Sequence, residues 1–143
     1  MKRMMLCSLI IALLLPLLVA CGGTPAIKVE GKSYTYLPDS GNTTMEGVEF
    51  TESQQASFKK TLNRNFKDSV LTFSSERDFE YTYSIFNLPS VTARTEGKRS
   101  GNVIEDTDGF PKVEILEDRV ILTVKDLIYD EGSITTVVFV AAE

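Results

Sequence analysis

The sequence predicts an α+β fold that is mostly antiparallel β with one covering helix, and three observations lead to it. Apolar and polar residues alternate along most of the chain after residue 70, as they do in half-buried strands. Clusters of turn-forming residues separate these stretches at intervals of about eight to twelve residues, a spacing typical of a meander, sandwich or barrel. One stretch, residues 51–69, has the periodicity of an amphipathic helix. Together they predict a small barrel or a curved sheet under one helix.

The first strand is predicted over residues 27–36, which carry apolar and aromatic residues on both sides of Gly31. The parity of these side chains changes at Gly31. That change fits a one-residue bulge or, alternatively, two short strands joined by a Glu30-Gly31-Lys32 turn. Residues 38–44, with the sequence Pro-Asp-Ser-Gly-Asn-Thr-Thr, have turn chemistry throughout, so we expect a loop there.

The helix predicted over residues 51–69 begins with a capping box, in which Thr51 caps the first turn and Gln54 reaches back to it. One narrow apolar stripe follows at every fourth residue, formed by Phe58, Leu62 and Phe66. An amphipathic membrane or partner helix is one interpretation of this stripe. A helix that covers one side or one end of a sheet is the simpler interpretation, and we favour it.

The strands predicted after the helix cover residues 70–73, 79–85, 91–96, 101–105, 112–116, 119–129 and 134–142. The alternation is clearest over 79–85. Polar turns are predicted at 97–100 and at Glu117-Asp118, the latter a tight hairpin. The last strand is apolar on both faces, which predicts a central strand or one that closes a barrel under the helix.

The N-terminal segment has the parts of a secretory signal. A basic Lys2-Arg3 head is followed by an uncharged apolar run over 4–18 and by the small residue Ala20. An uncleaved membrane-spanning helix is the alternative. It is disfavoured because residues 4–21 are at the lower limit of length for crossing a bilayer and because Pro16 interrupts them.

The junction Leu18-Val19-Ala20-Cys21 resembles the lipobox of bacterial lipoproteins, Leu-x-Ala-Cys. The resemblance implies that the chain is cut before Cys21 and that this thiol receives a diacylglycerol, whose acyl chains, such as palmitate, hold it in a membrane. It divides the chain into a signal peptide at 1–20, a lipid-anchored tether at 21–26 and a single domain at 27–143. The expected location is the bacterial cell envelope, on the outer face of the cytoplasmic membrane or in the outer membrane.

Three short motifs resemble those of small lipocalin-like bacterial lipoproteins. They are Gly31-Lys32-Ser33-Tyr34, Leu71-Thr72-Phe73 and Phe79-Glu80-Tyr81. In that family a Gly-Lys-x-Tyr strand precedes a helix, and strands of the other two forms follow it. This chain has Ser75-Glu76-Arg77-Asp78 where the family usually carries an Asp-Gly turn. The resemblance implies a lipocalin-like barrel over 27–143.

Composition narrows the classes of partner and cofactor. The precursor has a net charge of −5, and loss of Lys2 and Arg3 with the signal would leave −7, which argues against nucleic acid. The sequence contains no histidine, the commonest general base and transition-metal ligand. Its two cysteines, Cys7 in the signal and Cys21 in the lipobox, leave no thiol for a disulfide or a structural zinc site. We therefore expect no metal and no other cofactor.

Four aromatic residues form the candidate ligand site: Phe73, Phe79, Tyr81 and Tyr83. They could line a pocket for an apolar ligand, or they could pack as the inner face of a sheet against the helix. The function we expect is that of a non-enzymatic binding module for a small apolar ligand or peptide at the cell envelope. The alternative is an envelope interaction or structural lipoprotein with a filled barrel and no ligand.

Carboxylates are the remaining candidates for chemistry. Those in predicted turns and on the polar face of strands are Glu76, Asp78, Glu80, Glu105, Asp106 and Asp108. Two of them could form the acid/base pair of a hydrolase, but acids at such positions are usually just solvated. Residues 106–109, Asp-Thr-Asp-Gly, lack the ligand spacing of a calcium loop and predict a hairpin turn instead. We therefore assign no catalytic residue.

Overall fold

The computed structural model describes residues 25–84, 89–129 and 131–142. Cys21, the lipobox and the rest of the predicted signal lie outside the described residues. The elements in this part of the chain are β1 (Ser33–Tyr36), β2 (Asn42–Met45), α1 (Glu52–Phe66), β3 (Val70–Phe73), β4 (Asp78–Tyr83), β5 (Val91–Glu96), β6 (Lys98–Ser100), β7 (Val103–Glu105), β8 (Lys112–Ile115), β9 (Arg119–Lys125) and β10 (Ser133–Ala141).

The ten strands form one sheet in which every pairing is antiparallel. The hydrogen-bonded order is β5-β4-β3-β1-β10-β9-β8-β7-β6, and β2 pairs with β10 next to β1. Tyr34 of β1 lies opposite Ala141, whereas Met45 of β2 lies opposite Ser133 at the other end of β10. β1 and β2 therefore act as two parts of one long segment along β10.

Gly97 brings the sheet close to a complete barrel. It is the single residue between β5 and β6, the two outermost strands. Its N–H donates to the Arg77 carbonyl oxygen at 3.2 Å. A β-carbon built on it would lie 2.5 Å from Cγ2 of Ile104 and 3.1 Å from the Glu105 carbonyl oxygen, so only glycine fits there. With β1–β2 and β5–β6 each counted as one segment, the ten strands make eight antiparallel segments in up-and-down order.

The interior of the barrel is filled by one face of each wall segment, because successive side chains of a strand point to opposite faces. The buried apolar side chains on the strands are Tyr34, Tyr36, Leu71, Phe73, Phe79, Tyr81, Ile104, Val113, Ile115, Val120, Leu122, Val137 and Phe139. Two helix residues, Leu62 and Phe66, are completely buried against them. The predicted core face of the helix is therefore confirmed for these two residues.

The two ends of the barrel are covered by different segments. Helix α1 crosses the end at which β4 and β9 stop, which we call the helix end. Phe58 packs there on Tyr129, beyond β9, with ring centres 5.7 Å apart. The Asn65 carbonyl oxygen accepts a hydrogen bond of 2.8 Å from the N–H of Ser84, beyond β4. Residues 27–31 cover the opposite end, which we call the N-terminal end.

The predicted helix start is confirmed, and the helix is shorter than predicted. The Thr51 hydroxyl accepts from the Gln54 N–H at 3.3 Å, and the Gln54 side-chain oxygen accepts from the Thr51 N–H at 2.9 Å. α1 ends at Phe66 because the Ser69 N–H turns back to the Phe66 carbonyl oxygen at 2.9 Å and β3 begins at Val70. The expected central position of the last strand is also confirmed, since β10 pairs with β1, β2 and β9.

The prediction of one strand over 27–36 is wrong. Gly31 has φ +75°, in the left-handed region that glycine adopts without strain, and it lies in a turn. The Lys32 N–H donates to the Val29 carbonyl oxygen at 2.9 Å, so the chain reverses and β1 starts only at Ser33. A turn at Gly31, rather than a bulge, therefore explains the change of parity.

Two predicted loops contain strands. Residues 38–44 were expected to form a loop, yet β2 begins within them and pairs with β10. Residues 97–100 were expected to form a turn, yet β6 occupies three of these positions and pairs with β7, so the turn falls at Gly101-Asn102. Both strands are polar, and their partners lie in parts of the chain that local sequence does not identify.

Candidate functional site

The four aromatic residues predicted as a ligand site lie together inside the barrel. Phe73, Phe79 and Tyr81 are 0%, 2% and 4% exposed, and Tyr83 is half-buried. Ring centres are 6.1 Å apart between Phe73 and Phe79, 6.4 Å between Phe79 and Tyr81, and 5.8 Å between Tyr81 and Tyr83. The shared face follows the predicted alternation, and each ring packs on the next. Contact of these residues with a ligand stays a prediction.

This stack of rings continues toward both ends of the barrel. Tyr34 packs edge-on against Phe73, with ring centres 5.9 Å apart and planes at 83°. At the helix end, Phe66 of α1 stacks on Tyr83 at 6.1 Å and meets Phe139 edge-on at 6.2 Å. A continuous chain of aromatic rings therefore fills this side of the interior, with the offset and edge-to-face geometries that aromatic pairs prefer.

Burial keeps the core tyrosines neutral. Burial raises the pKa of Tyr81 to about 12, and the neighbouring Tyr83 adds to the rise. Burial also raises the pKa values of Tyr34 and Tyr36. The Tyr36 hydroxyl donates to the side-chain oxygen of Asn63 on α1 at 2.8 Å, which ties the helix to the barrel. These phenols are thus packing and hydrogen-bonding groups at neutral pH.

An open cavity of about 330 Å³ lies next to this stack, at the β4–β5 wall. Its lining residues are Ser74, Asp78, Phe79, Glu80, Arg94, Thr95 and Glu96. Phe79 lines the cavity although it is only 2% exposed, and the rim carries three carboxylates. Arg94 Nε contacts Glu80 Oε2 at 2.9 Å, so the one guanidinium of the rim is already paired. The cavity can therefore offer a small ligand a charged and polar rim.

Glu76 and Arg99 hold the N-terminal segment over the barrel. The Arg99 side chain is only 11% exposed; its guanidinium contacts the Glu76 carboxylate and donates to the carbonyl oxygen of Ile27. The Glu76 carboxylate in turn accepts from the N–H groups of Val29 and Glu30, each at 3.2 Å. Two charged side chains from the β3–β4 turn and from β6 thus bind three residues of the segment that covers the N-terminal end.

These hydrogen bonds shift the ionisation of Glu76. The Glu30 N–H contributes most to lowering the pKa of its carboxyl, and the Val29 N–H and the Arg99 guanidinium lower it further. A carboxylate that accepts several hydrogen bonds is stabilised in its charged form. Glu76 is therefore a fixed anion of the fold at neutral pH, which is the wrong state for a general acid.

Two other candidate carboxylates, Asp78 and Asp106, have separate local partners. Asp78 accepts from the Ser75 hydroxyl at 2.8 Å, and Asp106 accepts from the Thr107 N–H at 2.6 Å. The predicted turn after β7 is present, with the Gly109 N–H donating to the Asp106 carbonyl oxygen at 2.9 Å. Within the described ranges, no group of three or more acidic, cysteine or histidine side chains could hold a metal ion.

Sequence reasoning missed two features. One is the Glu76–Arg99 pair, which joins a residue of the β3–β4 turn to a residue of the polar strand β6. The other is a surface cluster at the helix end that we call the aromatic surface: Phe50, Phe58 and Tyr129. Three separate segments of the chain meet in this cluster, so no local pattern could have indicated it.

No protein-family model matches the chain, and no curated protein or solved structure matches it. Across the part of the chain that the structure describes, no helix combines the length and the apolar character needed to cross a membrane. The geometry therefore defines the class as a mostly antiparallel, nearly closed barrel-like sheet with a helix across one end.

Proposed function

We propose that this chain is a lipoprotein of the bacterial cell envelope, with Cys21 as its lipid attachment site and a lipocalin-like barrel as a non-enzymatic binding module. Residues 21–26 are its tether. Because the segment that covers the N-terminal end of the barrel follows this tether directly, that end faces the membrane. The diacylglycerol supplies two acyl chains, and two chains make the attachment stable. One chain alone would hold the protein only marginally.

The order of the segments supports a lipocalin-like barrel. Eight antiparallel segments follow one another around the sheet, and the last, β10, returns to the first, β1. Eight-stranded up-and-down barrels are the layout of the lipocalins. The helix lies between the first and second segments, as the resemblance of the sequence to lipocalin-like lipoproteins implies.

The filled interior is the observation that carries the choice of ligand class. An eight-stranded barrel either packs its interior with side chains or leaves room for one small ligand. Here the aromatic chain from Tyr34 to Phe66 occupies the interior, and separate segments cover both ends. A protein or peptide bound by the outer surface therefore fits this barrel better than a small molecule inside it.

The cavity beside Phe79 supports a second candidate function. Its volume of about 330 Å³ is at the lower end of the range for ligand pockets. A small ligand with a cationic group would match the carboxylates Asp78 and Glu96. In this alternative the chain carries a small ligand on its outer wall.

Non-enzymatic action is favoured by the chemistry of the candidate acids. The chain has no histidine to act as a base. Glu76 is paired with Arg99, and its hydrogen bonds lower the pKa of its carboxyl. A carboxyl group that acts as an acid at neutral pH needs a raised pKa instead.

Metabolic labelling with palmitate tests the anchor. The wild-type chain, expressed in a bacterial host with its own signal, should incorporate the label and fractionate with membranes. The Cys21→Ser variant should lose both properties. Cys7→Ser is the matched control, because it removes the chain's other cysteine and should leave labelling intact. Equal labelling of wild type and Cys21→Ser, or none of either, overturns the anchor.

Native mass spectrometry of the full chain, purified gently from its host, separates the two ligand classes. A bound protein or peptide supports the first candidate. A small-molecule adduct that Glu96→Gln removes supports the second, because Glu96 is one of the cavity carboxylates that would face the cationic group. A chain that carries neither adduct contradicts both.

A further inference from the structure

The aromatic surface is a second cluster of rings, separate from the barrel core. Phe50 and Phe58 are 5.0 Å apart at 84°, and Phe50 and Tyr129 are 5.1 Å apart at 80°. The rings come from the β2–α1 loop, from α1 and from the β9–β10 loop. Mutual edge-to-face contacts hold them together. This cluster fixes three segments at the helix end into one surface.

Part of this cluster is open to solvent. Tyr129 is 41% exposed, while Phe50 and Phe58 are half-buried. Exposed apolar patches on folded proteins are common sites of interaction. Tyrosine and phenylalanine are also the residues that interfaces favour, since they bury much area at little entropic cost.

Exposed carboxylates lie close in the chain to the residues of the aromatic surface. Those that flank its residues in the chain are Glu46, Glu49, Glu52, Asp126 and Glu131. Lys125 lies at the end of β9, and Lys59 and Lys60 follow Phe58 on α1. Successive helix residues are about 100° apart, so these two lysines lie off the face that carries the Phe58 ring. The loops on both sides of the rings therefore present negative charge.

The position of this surface limits what can reach it. Met45, just before it, lies opposite Ser133 at one end of β10, and Tyr34, just after the N-terminal segment, lies opposite Ala141 at the other. β10 has nine residues, which span about 30 Å. A tether at the N-terminal end thus holds the aromatic surface away from the membrane that anchors the chain.

We propose that the aromatic surface docks a basic, apolar segment of a partner protein, with lysines or arginines among aliphatic or aromatic residues. This inference rests on the proposed function as a protein-binding module and names its surface. The apolar residues of the partner cover Phe50 and Tyr129, and its cations face Glu49 and Glu131. Opposite charges across an interface speed association and select the partner.

Charge also decides against two other occupants. A second copy of this chain would bring two acidic surfaces together, and like charges in contact disfavour an interface. An anionic membrane would be repelled by the same carboxylates. The experiment described next also detects binding of either occupant.

The test uses the full chain and two fluorescent synthetic peptides with the same apolar residues, one with lysines and one with glutamates at the polar positions. We expect the lysine peptide to bind, with an affinity that falls as salt rises. The double variant Phe50→Ala, Tyr129→Ala should weaken it about tenfold or more. The triple variant Glu46→Gln, Glu49→Gln, Glu131→Gln should weaken it and flatten the salt dependence.

Matched controls use exposed positions elsewhere on the barrel. Val91→Ala removes a side chain that is 43% exposed, and should leave the affinity unchanged. The triple variant Asp108→Asn, Glu114→Gln, Glu117→Gln removes the same charge as the test variant, and should have a smaller effect. Far-ultraviolet circular dichroism and thermal unfolding establish that each variant is folded.

Several outcomes overturn the inference. They are equal binding of both peptides, equal loss in the test and control variants, binding of anionic vesicles by this surface, and self-association that Tyr129→Ala abolishes. Failure here is distinguishable from failure of the proposed function, because palmitate labelling and the native mass spectrum do not depend on this surface. Photo-crosslinking from position 129 in cells, with position 91 as control, identifies the natural partner once peptide binding is established.

Discussion

The Arg99 guanidinium of β6 contacts the Glu76 carboxylate of the β3–β4 turn, and together they bind the segment that covers the N-terminal end of the barrel. Arg99 lies just past Gly97, where the sheet comes closest to closing on itself. The pair therefore connects the barrel wall, its point of closure and the first described residues of the chain. In the proposed lipoprotein, any pull from the membrane tether reaches the barrel through these contacts.

Replacing Arg99 should destabilise the fold. Arg99→Met keeps much of the apolar stem but leaves the carbonyl oxygens of Ile27 and Glu76 without their donor, at a cost of roughly 1 to 3 kcal/mol in the free energy of unfolding. Urea denaturation measures this. Arg94→Met is the control, because its side chain is 80% exposed, and it should cost less than about 1 kcal/mol. Equal losses in the two variants would contradict the role of the buried pair.

Acid should weaken the fold partly through Glu76. Its folded pKa lies below the ordinary value of 4.5, so its stabilising effect is complete above that value and is lost as the pH falls toward the folded pKa. Glu76→Gln should therefore be less stable than wild type at neutral pH, and its stability should fall less steeply below pH 4.5. Glu114→Gln, at an exposed position, is the control. An equally steep loss of stability below pH 4.5 in wild type and Glu76→Gln would refute this prediction.

Substitutions at Gly97 should cost more as the new side chain grows. Gly97→Ala forces its β-carbon against Ile104 and two carbonyl oxygens, and we expect a loss of about 1 to 3 kcal/mol, with a larger loss for Gly97→Val. Gly109 has φ +83° with no atom within 4 Å of an added β-carbon, so alanine and valine there should carry only the backbone strain. Denaturation midpoints of the four variants measure the effect. Equal denaturation midpoints for wild type, Gly97→Ala and Gly97→Val would contradict this prediction, because they would mean that a side chain fits at Gly97.

Alkali should reveal the burial of Tyr81. Its pKa of about 12 lies above the ordinary 10.0, so the contribution of this neutral phenol to stability is complete below pH 10 and is lost as the pH rises toward 12. Absorbance titration of tyrosinate should show a late step that Tyr81→Phe removes. Tyr129→Phe, at a side chain that is 41% exposed, should leave that step in place. Persistence of the late step without Tyr81 would assign it to another tyrosine.

Elements with strong local signals could be predicted from the sequence. Two such signals lie within a single helix, and both appear in α1. They are the capping box of Thr51 and Gln54 and the four-residue separation of Leu62 and Phe66. The alternation of β4 likewise depends on its own residues. Such signals need no knowledge of the partner that covers them.

Elements whose structure depends on distant partners could not be predicted. β2 and β6 are polar, and they become strands because β10 and β7 satisfy their backbone groups. The segment over the N-terminal end looked like a strand because it is partly apolar. Its path depends instead on Glu76 and Arg99, which are 23 positions apart in the chain.

The candidate site shows the same division. Alternation correctly placed Phe79 and Tyr81 on the inner face. Whether rings on an inner face line a cavity or fill it depends on the width of the closed barrel and on what covers its ends. The width is set by the joined strands, and the ends are covered by α1 and by the segment that contains Val29. No single stretch of sequence contains this information.

The strand that bends at Gly97 also bears on solubility. An open sheet has two outer strands whose unpaired N–H and C=O groups can recruit further chains, and such strands are the usual starting points of edge-to-edge aggregation. Here the two outer strands, β5 and β6, are consecutive parts of one segment, which pairs with β4 through β5 and with β7 through β6. A Gly97 variant that opens the barrel at this point should therefore form fibrils or precipitate at concentrations at which the wild-type chain stays in solution.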